Sequence, residues 1–225
     1  MPNYKVPMKD VLFLFNDVFD MQTLYQQVEG GDQATPDMIE AIFAEGAKFS
    51  ENELAPLYQS GDEGCVWDDG VVTTPAGFKE AYKTYIEAGW TSLTGTENAG
   101  GQHLPSSVGL AVTEMITTAN WAWAMYPGLS EGAIATLEDH GTEKQKSDYL
   151  TKLISGVWSG TMCLTEPHCG TDLGQMKTKA VPNEDGSYSV DGTKIFISAG
   201  EHDLTENIVH IVLAKLPDAP KGTKG

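Results

Sequence analysis

Residues 162–174, Met-Cys-Leu-Thr-Glu-Pro-His-Cys-Gly-Thr-Asp-Leu-Gly, carry the densest chemistry in the chain. The run opens as an apolar strand and breaks at Thr165-Glu166-Pro167. It closes on Cys169-Gly170-Thr171-Asp172, a small-residue loop rich in hydroxyls and backbone N–H groups. Such a loop can take a flat ring at its strand end and a phosphate at its Gly-Thr end. The same residues also fit an ordinary strand–turn–loop in which Glu166 and Asp172 cap local N–H groups, and one short motif does not choose between the two. A second run, Lys194-Ile-Phe-Ile-Ser-Ala-Gly200, is an amphipathic strand ending in small residues. Taken alone it reads as a sheet strand with Phe196 in the core.

Other reactive groups point to less. Cys163, His168 and Cys169 offer soft ligands, but C-x4-H-C is not a zinc spacing and no fourth ligand follows, so no metal site is expected. His202 and His210 lack a Ser or Cys nucleophile elbow, which leaves a hydrolase triad unsupported. His103 and His140 fall at loop and helix-end positions and read as surface or cap residues. Cys163 reads as a small core residue, and Trp121, Trp123 and Trp158 read as core.

Composition narrows the classes further. The 225 residues include fourteen Lys, no Arg and thirty-two acids, for a net charge of −18. Such a surface repels nucleic acid and anionic membrane, so neither is expected as a partner. It also offers no guanidinium fork for a phosphate, leaving backbone N–H groups, hydroxyls and Lys, or a partner segment. Three scattered Cys argue for a reducing compartment, and Val11–Phe15 is too short an apolar run for a signal or a span; the expected location is cytoplasmic.

The elements that must position the two runs divide into a helical part and a strand-rich part: 1–34 as an acidic, partly helical lead-in with a solvated face, 35–156 as a helical domain, and 157–225 as an incomplete β-domain. Thr35-Pro36-Asp37 is a helix start, followed by Ile39, Ile42, Phe43 and Ala47 at helical spacing to about Leu54. Thr74-Pro75 repeats the signal ahead of Phe78, Ala81, Tyr82 and Tyr85. Val108 to Ala119 is an apolar helix that needs burial on several sides. Residues 128–140 form another helix, and Thr142-Glu-Lys-Gln145 is a capping box for the next. The period then changes to two. Val157–Leu164, a hairpin about Asn183–Gly186 with Ser187–Val190 returning, Thr193–Ser198 and Asn207–Leu216 read as strands. So few strands leave open edges, and the chain is expected to be a fragment, to stop early, or to be completed by another polypeptide.

The two runs together resemble the acyl-CoA dehydrogenases. That family carries a strand ending in Thr-Glu-Pro-x-x-Gly-Ser/Thr-Asp, matched by Thr165 to Asp172. About thirty residues later it carries Gly-x-Lys-x-Trp-Ile-Thr-Asn-Gly, matched by Gly192 to Gly200. Lys177-Thr-Lys179, Gly186-Ser-Tyr188, Gly100-Gly-Gln102 and His140 to Gln145 also look like the family, so the resemblance runs from about residue 36 to the end. Pro167-His-Cys-Gly-Thr-Asp172, the long lead-in and Ala119-Asn-Trp-Ala-Trp123 look like its larger members, the branch typified by the bacterial methylthiopropanoyl-CoA dehydrogenases. The fold implied is α+β: an N-terminal all-α bundle, then the start of an antiparallel β-barrel or sandwich.

The resemblance implies FAD as cofactor, an acyl-CoA substrate, an electron-transfer flavoprotein or similar acceptor, and a homo-oligomer when full length. Leu164 and Thr165 would meet the isoalloxazine edge, with the Thr165 hydroxyl on the pyrimidine side. Met162 stands where the family often has an aromatic lining residue. Gly170 and Thr171 would approach the pyrophosphate, Phe196 would pack beside the ring, and Ser198 would bond near N5. Phe for Trp at 196, Ser for Thr at 198, Ala for Asn at 199 and Cys at 169 depart from the pattern and bear on flavin potential and affinity. The implied reaction removes an α-proton and a β-hydride from the thioester. Its base belongs to a C-terminal helical domain beyond these residues, so no catalytic base is assigned and Glu166 is read as structural. The chain alone is expected to be inactive. Two rivals share the fold: a non-catalytic homologue serving as an assembly partner, marked by a colourless chain, and a flavin oxidase, marked by rapid reaction of reduced flavin with oxygen.

Overall fold

The computed structural model describes residues 4–224; Met1–Asn3 of the lead-in and Gly225 at the end of the tail lie outside it. The helices are α1 (Met8–Phe13), α2 (Met21–Tyr25), α3 (Pro36–Phe49), α4 (Tyr58–Glu63), α5 (Phe78–Glu87), α6 (Ser106–Ala119), α7 (Trp121–His140) and α8 (Glu143–Ile154). The strands are β1 (Val66–Asp68), β2 (Val71–Thr73), β3 (Trp158–Cys163), β4 (Lys179–Pro182), β5 (Tyr188–Asp191) and β6 (Asn207–Val212). Apart from the β1–β2 hairpin between α4 and α5, the order is helical first and stranded last, in line with the change of hydrophobic period. Among the described residues no helix is long and apolar enough to cross a membrane.

Local signals set most helix ends. The Thr35 hydroxyl accepts from Met38 N, with Pro36 opening α3. Beyond Phe49 the helix widens into a π-turn over Ser50–Leu54. Pro56 follows closely, and in a regular helix its ring would meet the carbonyl of residue 52. Thr142 and Gln145 close the expected reciprocal cap on α8. The helix expected at 128–140 begins earlier, at Trp121, because the Asn120 side chain accepts from Trp123 N and caps it.

One start signal fails. Thr74 does not cap α5, which opens instead on left-handed Gly77. Asp203 Oδ1 accepts from the Thr74 hydroxyl at 2.7 Å and from Thr74 N at 3.2 Å, so a partner distant in sequence sets the orientation of this residue.

The helical core is aromatic. Trp123 is fully buried, packs edge-on against Tyr85 at 5.2 Å and Phe49 at 5.9 Å, and donates to the Phe78 carbonyl at 3.2 Å. Val108, Val112, Met115 and Ile116 place α6 in the middle of this core, as its apolar run demands. The lead-in is more than a solvated face. Val6, Met21 and Tyr25 join the same core, and the Tyr25 hydroxyl lies 2.7 Å from Ser107 Oγ, while Asp10, Asp17 and Asp20 face outward.

In the stranded part, β4 and β5 form the expected antiparallel hairpin. β3 and β6 run parallel, in register from Trp158–Asn207 to Cys163–Val212. No closed barrel forms among the described residues. The strand expected at Thr193–Ser198 is absent. Ile195 makes one ladder-like bond, to the Thr165 carbonyl at 2.9 Å, and then left-handed Phe196 (φ 56°) and Ala199 (φ 53°) turn the chain away.

Candidate functional site

β3 is held on both faces. Gly160 and Met162 face α7: the backbone N–H of Gly160 donates to Ser130 Oγ at 3.0 Å, and Met162 lies over Gly132. A Cβ at Gly160 would collide with the Ala133 methyl, so the bare backbone is what lets strand and helix close. On the opposite face Ser159 lies 3.0 Å from His202 Nε2, and Thr161 lies 2.6 Å from His210 Nδ1. Leu204 N donates to His202 Nδ1, which assigns the ring proton to Nε2 and makes His202 the donor to Ser159. A general base would have to present a lone pair to that hydroxyl, so this pair is wired as structure and not as a nucleophile. Burial pushes the His202 imidazole below its ordinary value, against the pull of the Glu201 and Asp203 carboxylates.

At the strand end, the chain turns about Glu166, a carboxylate only 3% exposed. Its Oε1 accepts from Thr178 Oγ1 at 2.5 Å, Thr178 N at 3.0 Å and Lys194 Nζ at 3.0 Å; its Oε2 accepts from Lys177 N at 2.7 Å. Burial alone would raise this carboxyl. The Thr178 hydroxyl, the two amides and the Lys194 ammonium outweigh burial and hold it at about 2. The same ammonium donates to the Leu164 carbonyl at 2.9 Å. Gly192 passes so close to Thr178 that a Cβ there would strike its side chain, so the glycine of the second run is needed for the approach. Glu166 thus knits segments 164–166, 177–178 and 192–195 together. The structural reading of Glu166 fits these four donors around a carboxylate that is almost wholly buried.

The candidate residues divide accordingly. Met162, Leu164 and Thr165 sit half-buried at the end of β3. Gly170 and Thr171 follow on an exposed loop, where a Cβ at Gly170 would meet only the Thr165 methyl, at 3.6 Å. Phe196 is 88% exposed, so it is no core residue, and Ser198 is exposed beside it. The Thr165–Ile195 and Leu164–Lys194 bonds bring the two runs side by side.

The soft-ligand trio does converge: Glu166, His168 and Cys169 place one ligand atom each within 4.8 Å of one another. Glu166 is committed to its four donors, however, and His168 Nε2 lies 3.0 Å from the Gln175 carbonyl, which takes its proton. The donor set is that of a hydrogen-bonded turn.

Sequence reasoning missed Lys194, Thr178 and the contact between Asp203 and Thr74. The legible signal was Lys194, a lone charge at the head of the apolar stretch Ile195-Phe196-Ile197, which needs a partner when that stretch packs.

The family profile described as acyl-CoA dehydrogenase, N-terminal domain, matches residues 37–157. The 3-methylmercaptopropionyl-CoA dehydrogenase of Ruegeria pomeroyi is 43% identical over 229 residues, an alignment covering 99% of this chain and 38% of that protein. The solved butyryl-CoA dehydrogenase of Megasphaera elsdenii superposes with a TM-score of 0.65 at 26% identity, covering 80% of this chain and 44% of that one. A glutaryl-CoA dehydrogenase of Mycobacterium smegmatis, solved with FADH2, shares the fold with a TM-score of 0.67 at 20% identity, over 84% of this chain and 45% of that one. The chain therefore spans less than half the length of these relatives. With the family profile matched over more than half of its residues, and with the two strand-end runs joined as described, the chain belongs to the acyl-CoA dehydrogenase family.

Proposed function

We propose that the chain forms the N-terminal and part of the middle region of an FAD-dependent acyl-CoA dehydrogenase, acting on methylthiopropanoyl-CoA or a fatty acyl-CoA. The observation that carries this reading is the joining of residues 164–165 to 194–195 through one backbone bond and one ammonium. The residues fit the cofactor. An exposed aromatic ring at Phe196 and half-buried apolar side chains at Met162 and Leu164 suit a flat tricycle. The open backbone at Gly170 and the exposed hydroxyl of Thr171 suit a pyrophosphate in a chain without Arg. FAD, when bound, supplies the hydride acceptor.

In this reading the chain's own residues bind and orient. Thr165 and Ser198 offer hydroxyls to the ring edge, Met162, Leu164 and Phe196 cover it, and Gly170 with Thr171 takes the phosphates. Glu166 takes no proton from the substrate; its four donors keep it ionised and turned inward. The base that removes the α-proton comes from outside residues 1–225. The 43% identity to the Ruegeria pomeroyi enzyme supports the sulfur-containing substrate. A homo-oligomer, and an electron-transfer flavoprotein as acceptor, complete the proposal.

The test is flavin content and turnover of the complete protein that carries this chain. It should purify yellow, and its flavin should bleach anaerobically on adding methylthiopropanoyl-CoA or butyryl-CoA. A protein that takes up no FAD, or whose FAD neither acyl-CoA bleaches, would refute the reading.

A further inference from the structure

The two segments that flank the proposed flavin seat meet through one side chain, Lys194, and one backbone bond. Lys194 is largely buried, and its ammonium bridges the Leu164 carbonyl at 2.9 Å and Glu166 Oε1 at 3.0 Å. Between these, Ile195 N donates to the Thr165 carbonyl at 2.9 Å. Three consecutive residues of one segment are therefore fastened to two of the other. Glu166 cannot drift, because Lys177 and Thr178 grip it from a third segment. Immediately beyond the clamp comes Phe196, a non-glycine residue held left-handed. A bulky residue keeps that backbone only where its neighbours over-determine it, and the adjoining clamp is the neighbour that does so.

We propose that Lys194, seated on Glu166, is a positioning residue that fixes the spacing between the strand end at Leu164–Thr165 and the segment carrying Phe196 and Ser198. This rests on the flavin reading of the site. Lys194 touches no reacting atom; it acts through the Leu164 carbonyl and through the direction in which the chain leaves Ile195. A charge-assisted bond from an ammonium to two oxygens is strong and short enough to set such a spacing, whereas an apolar side chain of the same length would let the segments slide.

The experiment compares wild type, Lys194→Met and the double variant Glu166→Gln/Lys194→Met, which removes the buried charge along with its counter-charge. Each is studied as holoenzyme and after removal of flavin. Three readouts are taken: FAD affinity, the flavin absorption bands with the reduction potential, and hydrogen exchange at the Ile195 amide in the flavin-free protein. Both variants should bind FAD roughly tenfold or more weakly. Both should also shift the flavin bands and potential, and the Ile195 amide should exchange faster while distant helices keep their protection. Wild-type affinity, spectrum and potential in Lys194→Met would overturn the proposal. So would the same flavin changes in Asn120→Ala, a destabilising control far from the clamp, since that would reduce the role of Lys194 to general stability. Were the wild type to bind no FAD, the flavin reading would fall instead. The clamp would then stand or fall on the Ile195 amide, and unchanged exchange there would dispose of it.

Discussion

Glu166 makes the protein acid-sensitive over a window that its surroundings define. In the unfolded chain the carboxyl titrates near 4.5; in the fold, Thr178, Lys177 and Lys194 hold it at about 2. The unfolded chain therefore takes up this proton first, and acid favours unfolding. The stabilisation is complete above pH 4.5 and drains away as pH falls towards 2. At roughly 1.36 kcal/mol per pH unit, the gap amounts to about 3 kcal/mol at neutral pH and about 1 kcal/mol at about pH 3. In Glu166→Gln the amide oxygen can still face Thr178 and Lys194, but the NH2 group turns on the Lys177 N–H and the ammonium loses its counter-charge. Urea unfolding of both proteins across this range isolates the effect, because Asp203, Asp185 and Glu51 titrate alike in each. The variant should be less stable by about 3 kcal/mol at neutral pH, and the two curves should converge as pH falls. A difference that stays constant from about pH 7 to about pH 3 would refute the assignment of that stability to the Glu166 charge.

Asn120 is buried, caps α7 through Trp123 N and donates to the Leu54 carbonyl at 3.2 Å, so Asn120→Ala loses a cap and strands a carbonyl. Urea denaturation should register a loss of about 2–4 kcal/mol. His202, buried and neutral, contributes stability that is present above its ordinary 6.5 and lost as pH falls below it, since protonation favours the unfolded chain. His202→Gln should flatten the pH dependence of unfolding just below 6.5, and an unaltered slope there would acquit the imidazole. Phe196 is almost bare, so Phe196→Ala should leave stability within about 0.5 kcal/mol while weakening FAD binding in a fluorescence titration. Equal losses in stability and affinity would instead mark it as a packing residue.

The parts of this fold that were legible in the sequence are those whose partners lie within a few residues. Thr35 and Thr142 cap their helices because the accepting oxygen and the orphan N–H groups are neighbours in the chain. The β4–β5 hairpin follows from Asn183–Gly186 for the same reason, with Gly186 left-handed in the turn. The β1–β2 hairpin carries the same local signal: Asp69 and Gly70, both left-handed, sit between Val66-Trp67 and Val71-Val72 in the pattern of a two-residue turn. Thr74 misled because Asp203, far along the chain, accepts from both its hydroxyl and its N–H and fixes the residue by a tertiary contact.

At the site itself, the residue types were legible and the geometry was not. Thr193–Ser198 alternates as a strand does, yet alternation specifies only which side chains share a face. Whether a ladder forms depends on the partner, and here the partner is the carboxylate of Glu166. Drawing the Lys194 side chain inward to Leu164 and Glu166 leaves one backbone bond to Thr165, after which Phe196 adopts a conformation no propensity scale favours. Local preference and tertiary demand thus disagree in the second of the two runs proposed to meet the cofactor. That is where such conflicts belong: strain at Phe196 contributes nothing to stability, and it persists because Glu166 and Lys194 hold the adjoining residues in place.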